Sequence, residues 1–342
     1  MEESNPKKQL NAYLSFLSRG WKRISFGDKN IVALCLIMIV IGLYLITSGS
    51  TTPQKKNVIT FEPIQLATST VGEFPDLNLE AKAAIIYDLA TKKILYAKNE
   101  KQILPIASIT KLMSAVVAVE NVPILSTVEI TPASIKQEGD SGLRVGERWT
   151  IRDLLKLSLT MSSNDGIHAV ATALGGYIAK SEDKNVAEKT FSEMLNEKAR
   201  ALNLKETAFN NASGLDVSFI ESGAYSSASD IAQLMSYILT NHPEILEATT
   251  KDNFRIESLD NYQHQVTNTN TVVDQIPGLI GSKTGFTDLA GGNLVIAYDF
   301  GPLHPVVITV LGSSREGRFQ DMLKLVKLSR TIIESEVTTT GQ

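Results

Sequence analysis

The sequence predicts a mixed α/β (α+β) domain, an antiparallel sheet with flanking helices, preceded by one transmembrane helix. Two apolar runs typical of β-strands come first in the domain, a block of helical patterns follows, and three further β-rich runs and a last helical pattern end it. The gaps between the last three runs have hairpin length, so we expect these strands to pair antiparallel. The helical block is then inserted between two parts of one sheet.

Composition excludes several classes of function. The 342 residues carry a formal net charge of −4, but residues 1–30 contain six Lys/Arg and three acidic residues, and residues 31–50 contain no charge. The rest of the chain is therefore acidic, which argues against nucleic-acid binding, since that needs a basic face. Cys35 is the single cysteine, so neither an intrachain disulfide nor a Cys-based metal site is expected. The four histidines lack metal-ligand spacing, and we predict no metal and no cofactor.

The N-terminal region contains an uncharged apolar run of sixteen residues, Ile31–Ile46. As a helix it would be about 24 Å long, which can cross a core of about 30 Å if Thr47 and flanking residues contribute. We predict a cytoplasmic tail over 1–30, a transmembrane anchor over 31–47 and a linker rich in Thr, Ser and Pro over 48–78. The Lys/Arg excess before the run places the remaining chain on the extracytoplasmic side.

A cleaved signal peptide is the alternative to an anchor. Its apolar region usually has 7–15 residues, and Ser48-Gly49-Ser50 could serve as a small-residue cleavage site. Both alternatives export the domain, which we place at residues 79–335 with a short tail over 336–342.

Within the domain, Ala83–Tyr87 and Ile94–Ala97 predict a hairpin, and Thr150 with Asp153 predicts the N-cap of a helix that ends at Met161. The other predicted helices are 108–119, 165–174, 187–202, 230–239 and 316–333, and the other predicted strands are 279–286, 293–300 and 306–311.

The first candidate motif is Ser108-Ile109-Thr110-Lys111, an S-x-x-K sequence. The chain has two other matches, Ser4–Lys7 and Ser181–Lys184, but only Ser108 opens an amphipathic helical pattern. Side chains at i and i+3 share one face of a helix, so the Lys111 amine can reach the Ser108 hydroxyl.

Two further motifs follow in order. Ser162-Ser163-Asn164 ends the helix that begins after Thr150, and alone it would indicate only a loop or a cap. Lys283-Thr284-Gly285 lies inside an apolar strand pattern. It is no phosphate-binding loop, because Ser282 rather than Gly precedes the lysine and a strand-like stretch follows.

Together the three motifs resemble the S-x-x-K, S-D-N and K-T-G motifs of class A β-lactamases and penicillin-binding proteins. The stretches Leu104–Ala107, Ser213–Asp216, Ile280–Thr287 and Ala290–Val295 are similar to low-molecular-mass penicillin-binding proteins of the serine D-Ala-D-Ala carboxypeptidase family. Ser163 replaces the Asp typical of class A β-lactamases, which favours the carboxypeptidases. The resemblance covers about residues 80–335 and implies a DD-peptidase/β-lactamase-like fold.

The resemblance implies a role for each motif residue in acyl transfer. Ser108 would be the nucleophile and Lys111, in its neutral form, the base. Ser162 would pass the proton to the leaving amine, and Asn164 would hold the substrate amide and orient the lysine. The backbone N–H groups of Ser108 and Phe286 would form the oxyanion hole.

The third motif would bind the substrate. Lys283 and Thr284 would hold its terminal carboxylate, and Gly285 would leave space for the peptide along the strand edge. Burial and the charge of Lys283 are both expected to lower the pKa of the catalytic lysine. Arg315 or Arg318 is a further candidate for carboxylate binding.

The implied reaction removes the terminal D-alanine from peptidoglycan stem peptides through an acyl-enzyme on Ser108, and β-lactam antibiotics such as penicillins would acylate the same serine. The implied location is the bacterial plasma membrane. The alternatives are a DD-endopeptidase for cross-linked peptidoglycan, a β-lactamase and a non-catalytic penicillin sensor. We identify no second base for a β-lactamase, and the thirty residues before the apolar run leave a sensor little room for a signalling domain.

If Ile31–Ile46 is an uncleaved anchor, protease added to intact spheroplasts should release a fragment that begins within the 50–78 linker. N-terminal sequencing of the released fragment checks this. A domain that stays protected until the cells are lysed would contradict the predicted topology.

Overall fold

The computed structural model describes residues 76–301 and 303–340. The predicted tail, the anchor Ile31–Ile46 and nearly all of the 48–78 linker lie outside these residues and stay predictions. In the part of the chain that is described, no helix is long and apolar enough to cross a membrane.

The predicted strands and helices occur in the expected order, and further short strands lie among the helices. The strands are β1 (Ala83–Asp88), β2 (Lys93–Lys98), β3 (Leu104–Pro105), β4 (Thr127–Glu129), β5 (Arg148–Thr150), β6 (Ala208–Phe209), β7 (Ala224–Ser226), β8 (Asn253–Glu257), β9 (Gln263–Thr267), β10 (Leu279–Thr287), β11 (Gly291–Asp299) and β12 (Pro305–Ser313). The helices are α1 (Thr110–Asn121), α2 (Ile151–Thr160), α3 (Asn164–Ala179), α4 (Lys184–Ala201), α5 (Ala228–Asn241) and α6 (Gly317–Thr340).

The main sheet joins the two ends of the domain. Its strand order is β10-β11-β12-β1-β2, and every neighbouring pair is antiparallel. The first hairpin meets the last strand directly, with Ile86 opposite Ile308. This confirms that the helical block is inserted between two parts of one antiparallel sheet, with the free edge of β10 at one side.

Both faces of the sheet are covered, because alternate residues of its strands are apolar on each side. In β1, Ile85 and Tyr87 pack into the core shared with the helical block, whereas Ile86 packs into a second core under α6. The Tyr298 hydroxyl lies 2.6 Å from the Ser329 hydroxyl and links α6 to the sheet. The domain therefore has three layers.

The helical block surrounds α1, which contacts α2, α3, α4 and α5. Every residue from Thr110 to Ala118 is buried, so this helix crosses the interior rather than lying on the surface. Thr150 caps α2 by accepting a hydrogen bond from the Asp153 N–H at 3.1 Å, as predicted. Ser163 caps α3 in the same way through the Gly166 N–H at 2.9 Å.

The structure corrects several boundaries and adds short strands. The helix expected from Ser108 starts as a 3₁₀ turn, Ala107–Ile109, and α6 continues to Thr340, beyond the expected helix end at 333. The sheets β3-β7-β6, β4-β5 and β8-β9 were not predicted. Strands of two or three residues show no detectable alternation, and β8–β9 present many polar residues to solvent.

Helices α3 and α4 cross at Gly175, where a Cβ would lie 2.0 Å from the Ala187 carbonyl oxygen. Gly175→Ala should therefore force the helices apart and cost about 1–3 kcal/mol, a fall in Tm of roughly 3–10 °C. Thermal unfolding followed by circular dichroism measures it. Gly301→Ala is the control, since no atom lies within 4 Å of its Cβ position. Equal Tm values for the two variants would contradict the close crossing.

Candidate active site

The nucleophile candidate Ser108 lies in the 3₁₀ turn that joins β3 to α1, and its side chain is partly exposed. The preceding residue, Ala107, has a φ of +48°, in the left-handed region that residues other than glycine seldom adopt. Gly214, with a φ of +80°, approaches so closely that a Cβ there would lie 1.9 Å from the Ala107 oxygen. Contacts with the 211–216 segment thus hold the turn in a strained conformation.

Lys111 lies one turn after Ser108 and is fully buried. Its Nζ is 2.7 Å from Ser108 Oγ, 2.7 Å from Asn164 Oδ1 and 3.0 Å from the Ser213 carbonyl oxygen. A neutral amine has two N–H bonds and one lone pair. Asn164 Oδ1 and the Ser213 carbonyl oxygen can only accept. When the two N–H bonds donate to these oxygens, the lone pair is directed at the Ser108 hydroxyl.

Burial lowers the pKa of Lys111 to about 7, so a large fraction of the amine is neutral at neutral pH. The pKa of Lys283 is also lowered, first by burial and then by the charges of Lys111 and Arg318. Burial is the cause of the shift at Lys111. The two buried amines also repel each other, and this repulsion adds to burial in lowering the pKa of Lys283. The expected influence of the Lys283 charge on the pKa of Lys111 stays a prediction.

Asn164 is fixed at both ends of its amide. Its Oδ1 accepts from Lys111, and its Nδ2 donates to the Glu138 carbonyl oxygen at 2.6 Å. The neighbouring Ser163 is buried and caps α3, so the middle residue of the second motif has a structural role. The helix N-terminus therefore places Asn164 next to the lysine.

Ser162 links the second motif to the third. It has a φ of +62°, and its Oγ accepts a hydrogen bond of 2.9 Å from Lys283 Nζ. Lys283 is buried and also donates to the Thr284 carbonyl oxygen at 2.9 Å. The Thr284 hydroxyl lies 2.6 Å from that of Thr269. The structure thus brings all three predicted motifs into one site.

Strand β10 packs directly against the nucleophile turn. A Cβ on Gly285 would lie 2.6 Å from the Ile106 oxygen and 3.2 Å from the Ser108 nitrogen, so a larger residue would push the strand away. This close approach explains the glycine of the third motif and places Phe286, the next residue, beside the turn.

The two candidate arginines both contact β10. Arg318 Nη1 donates to the Gly285 carbonyl oxygen at 2.8 Å, and the Arg315 guanidinium lies 3.7 Å from the centroid of the Phe286 ring. Burial lowers the pKa of Arg318 to about 10. These contacts support the strand that carries the third motif.

Several contacts at the site could not be predicted. The carbonyl groups of Ser213 and Glu138 hold Lys111 and Asn164, but every residue type has a carbonyl, so the sequence contains no signal for them. Thr269 precedes the third motif by more than ten residues without any motif of its own. The S-x-x-K match at Ser181 is not part of the site. Its hydroxyl accepts from the Asp183 N–H at the start of α4.

Comparison with known proteins identifies the family. The family model described as D-alanyl-D-alanine carboxypeptidase matches residues 68–314. The chain belongs to the D-alanyl-D-alanine carboxypeptidase family. The D-alanyl-D-alanine carboxypeptidase DacF of Bacillus subtilis is 29% identical over 276 residues, which are 79% of this chain and 67% of that protein. A D-alanyl-D-alanine endopeptidase of Pseudomonas aeruginosa is 28% identical over 312 residues and covers 89% of both proteins.

A solved relative has the same fold. Penicillin-binding protein D2 from Listeria monocytogenes in its ampicillin-bound form superposes with a TM-score of 0.61 at 30% sequence identity. The match covers 75% of this chain and 99% of that one. The expected penicillin-binding-protein fold is therefore confirmed for the D-alanyl-D-alanine carboxypeptidase domain of this chain.

If neutral Lys111 activates Ser108, acylation by labelled penicillin should depend on pH with a midpoint of about 7. The rate should fall about tenfold per unit well below this pH, where the amine is protonated, and level off above it. Stopped-flow labelling between about pH 5 and pH 9 measures the profile.

Ser181→Ala should give the same pH profile as the wild type, and Ser108→Ala should not be labelled. A rate that stays constant across this range would show that protonation of Lys111 does not control acylation.

Proposed function

We propose that this protein is a serine-type D-Ala-D-Ala carboxypeptidase that removes the terminal D-alanine from peptidoglycan stem peptides. The observation that carries the proposal is the buried Lys111 amine 2.7 Å from the Ser108 hydroxyl, with its other two contacts made to acceptors. Membership of the D-alanyl-D-alanine carboxypeptidase family supports the substrate class.

Acylation begins at Ser108. Neutral Lys111 takes the hydroxyl proton while Oγ attacks the carbonyl carbon of the penultimate D-alanine, and the carbonyl oxygen becomes negative. We assign the stabilisation of this oxygen to the backbone N–H groups of Ser108 and Phe286. Gly285 allows the strand and the nucleophile turn to approach closely enough for both groups to reach one atom.

The leaving group needs a proton. In our proposal Lys111, now protonated, returns it through Ser162 to the amine nitrogen, the C–N bond breaks and D-alanine departs. Lys283 donates to the Ser162 oxygen at 2.9 Å. The hydrogen of the Ser162 hydroxyl is therefore free to point toward the substrate. Asn164 keeps the lysine in place. Lys111, neutral again, then takes a proton from water while the water oxygen attacks the acyl carbon. The bond to Ser108 Oγ breaks, the proton returns from Lys111 to Oγ, and the shortened peptide departs.

Carboxylate recognition distinguishes a carboxypeptidase from other acyl transferases. We assign it to Lys283 and the Thr284 hydroxyl. A carboxylate next to Lys283 would raise the lowered pKa of that amine and so favour the ion pair. For Arg315 and Arg318 we propose a supporting role, since each makes its contact with β10 itself.

We also propose that the protein binds β-lactams and lies at the bacterial plasma membrane. β-Lactams should acylate Ser108, as the ampicillin-bound form of the Listeria relative suggests by analogy. An anchor at Ile31–Ile46 would hold the enzyme on the outer side of the bacterial plasma membrane, where peptidoglycan lies.

A DD-endopeptidase is the second candidate, because the Pseudomonas relative bears that name and covers 89% of both chains. An endopeptidase cleaves at a D-alanine whose neighbour belongs to another peptide, so it does not need the same terminal carboxylate.

Thr284→Val keeps the volume of the side chain and removes its hydroxyl. It should lower kcat/KM for an acetylated peptide ending in D-Ala-D-Ala by roughly tenfold, the worth of one hydrogen bond to a charged group. The C-terminal amide of the same peptide should be a poor substrate for the wild type and should change little in the variant. Release of D-alanine or its amide, measured by mass spectrometry, gives both values.

Ser108→Ala provides the inactive control for this comparison. If the wild type cleaves the acid and the amide equally well, the carboxylate site is wrong. A cross-linked dimer cleaved faster than the free acid would then favour the endopeptidase.

A further inference from the structure

A second concave surface lies beside the catalytic centre. It is a cleft of about 750 Å³ between helix α4 and the segment 210–217, and we call it the α4 cleft. Its size falls in the usual range for a small-ligand site, about 300–1,000 Å³. Most of the residues that line it are polar or charged, among them Gln137, Lys189, Ser192, Glu193 and Asp216.

The α4 cleft borders the catalytic centre at two points. Ser213 lines the cleft, and its carbonyl accepts the 3.0 Å hydrogen bond from Lys111. Gln137 lines it too and directly precedes Glu138, whose carbonyl holds the amide of Asn164. A ligand in the cleft would therefore lie against the backbone that positions the base.

The expected direction of the substrate leads to the cleft. The terminal carboxylate is assigned to Lys283 and Thr284, so the part of the peptide before the scissile bond has to extend the other way along β10. At that end of the strand Thr287 Oγ1 donates to Asp216 Oδ1 at 3.0 Å. Because Asp216 also lines the α4 cleft, a peptide that follows β10 arrives at its mouth.

The charges in the cleft suit a peptide that carries both signs. On the α4 side Lys189 and Glu193 form a 3.8 Å ion pair, and both side chains are largely exposed. Such a surface pair is weak, so each member can exchange its partner for a ligand group. Cations and anions are mixed along the lining, which favours a short peptide with an ammonium and a carboxylate over a polyanion.

We propose that the α4 cleft binds the residues of the stem peptide that precede its D-Ala-D-Ala end, and so makes the enzyme prefer long peptides to minimal dipeptides. The orientation of the peptide rests on the proposed function. The binding itself does not depend on cleavage.

Ser192→Trp tests the cleft by filling it. Ser192 is partly buried on α4, and its Oγ donates to the Asn210 carbonyl oxygen across the cleft at 3.2 Å. The matched control is Glu197→Trp, on the same helix, at an exposed position outside the cleft lining. Circular dichroism of both variants checks that they fold.

The first measurement is calorimetric binding of the tripeptide acetyl-L-Ala-γ-D-Glu-L-Lys, which lacks the D-Ala-D-Ala end, to the full chain. We expect binding to the wild type and to Glu197→Trp, and a Kd at least about tenfold higher for Ser192→Trp. No binding to the wild type, or equal binding to all three proteins, overturns the proposal.

The second measurement compares kcat/KM for the pentapeptide that extends this tripeptide by D-Ala-D-Ala with kcat/KM for acetyl-D-Ala-D-Ala. The ratio should fall at least about tenfold in Ser192→Trp and stay at the wild-type value in Glu197→Trp. An unchanged ratio contradicts the cleft. If neither peptide is cleaved by the wild type, the proposed carboxypeptidase activity fails, and tripeptide binding still decides whether the cleft is a peptide site.

Discussion

The active site depends on keeping one amine out of water. An exposed Lys111 would be protonated at neutral pH, and it could not accept a proton from Ser108. Burial lowers its pKa to about 7, and that burial exists because α1 crosses the interior of the helical block. The acceptors at Asn164 and Ser213 then determine where the lone pair points. The arrangement of the helical block thus serves the chemistry of a single nitrogen atom.

The edge of the sheet supplies the other half of the site. Strand β10 carries Lys283, Thr284 and Gly285 to the nucleophile turn, and the glycine allows a backbone approach that a side chain would prevent. Arg318 holds this strand from the side of α6 through the Gly285 carbonyl. Residues that are far apart in the chain meet here because the helical block is inserted between β2 and the last strands of the sheet.

Much of this arrangement could be predicted from the sequence, where a side-chain pattern carried the information. The contact between Ser108 and Lys111 across three residues, the K-T-G in a strand and the Thr150 cap all appear in the structure. The carbonyls of Ser213 and Glu138 could not be predicted, because backbone acceptors have no residue preference. The short strands β3 to β7 are held by tertiary contacts, and the sequence contains no periodic signal for them.

The pairing of β1 with β12 has a consequence for the synthesis of the protein. Ala83 pairs with Leu311, so one edge of the first hairpin has no partner until almost the whole domain has been made. An unpaired strand edge is a site at which other chains can add, and contacts between residues so distant in the chain slow folding. The β1 edge of this hairpin therefore stays without its partner strand for most of the time in which the domain is made.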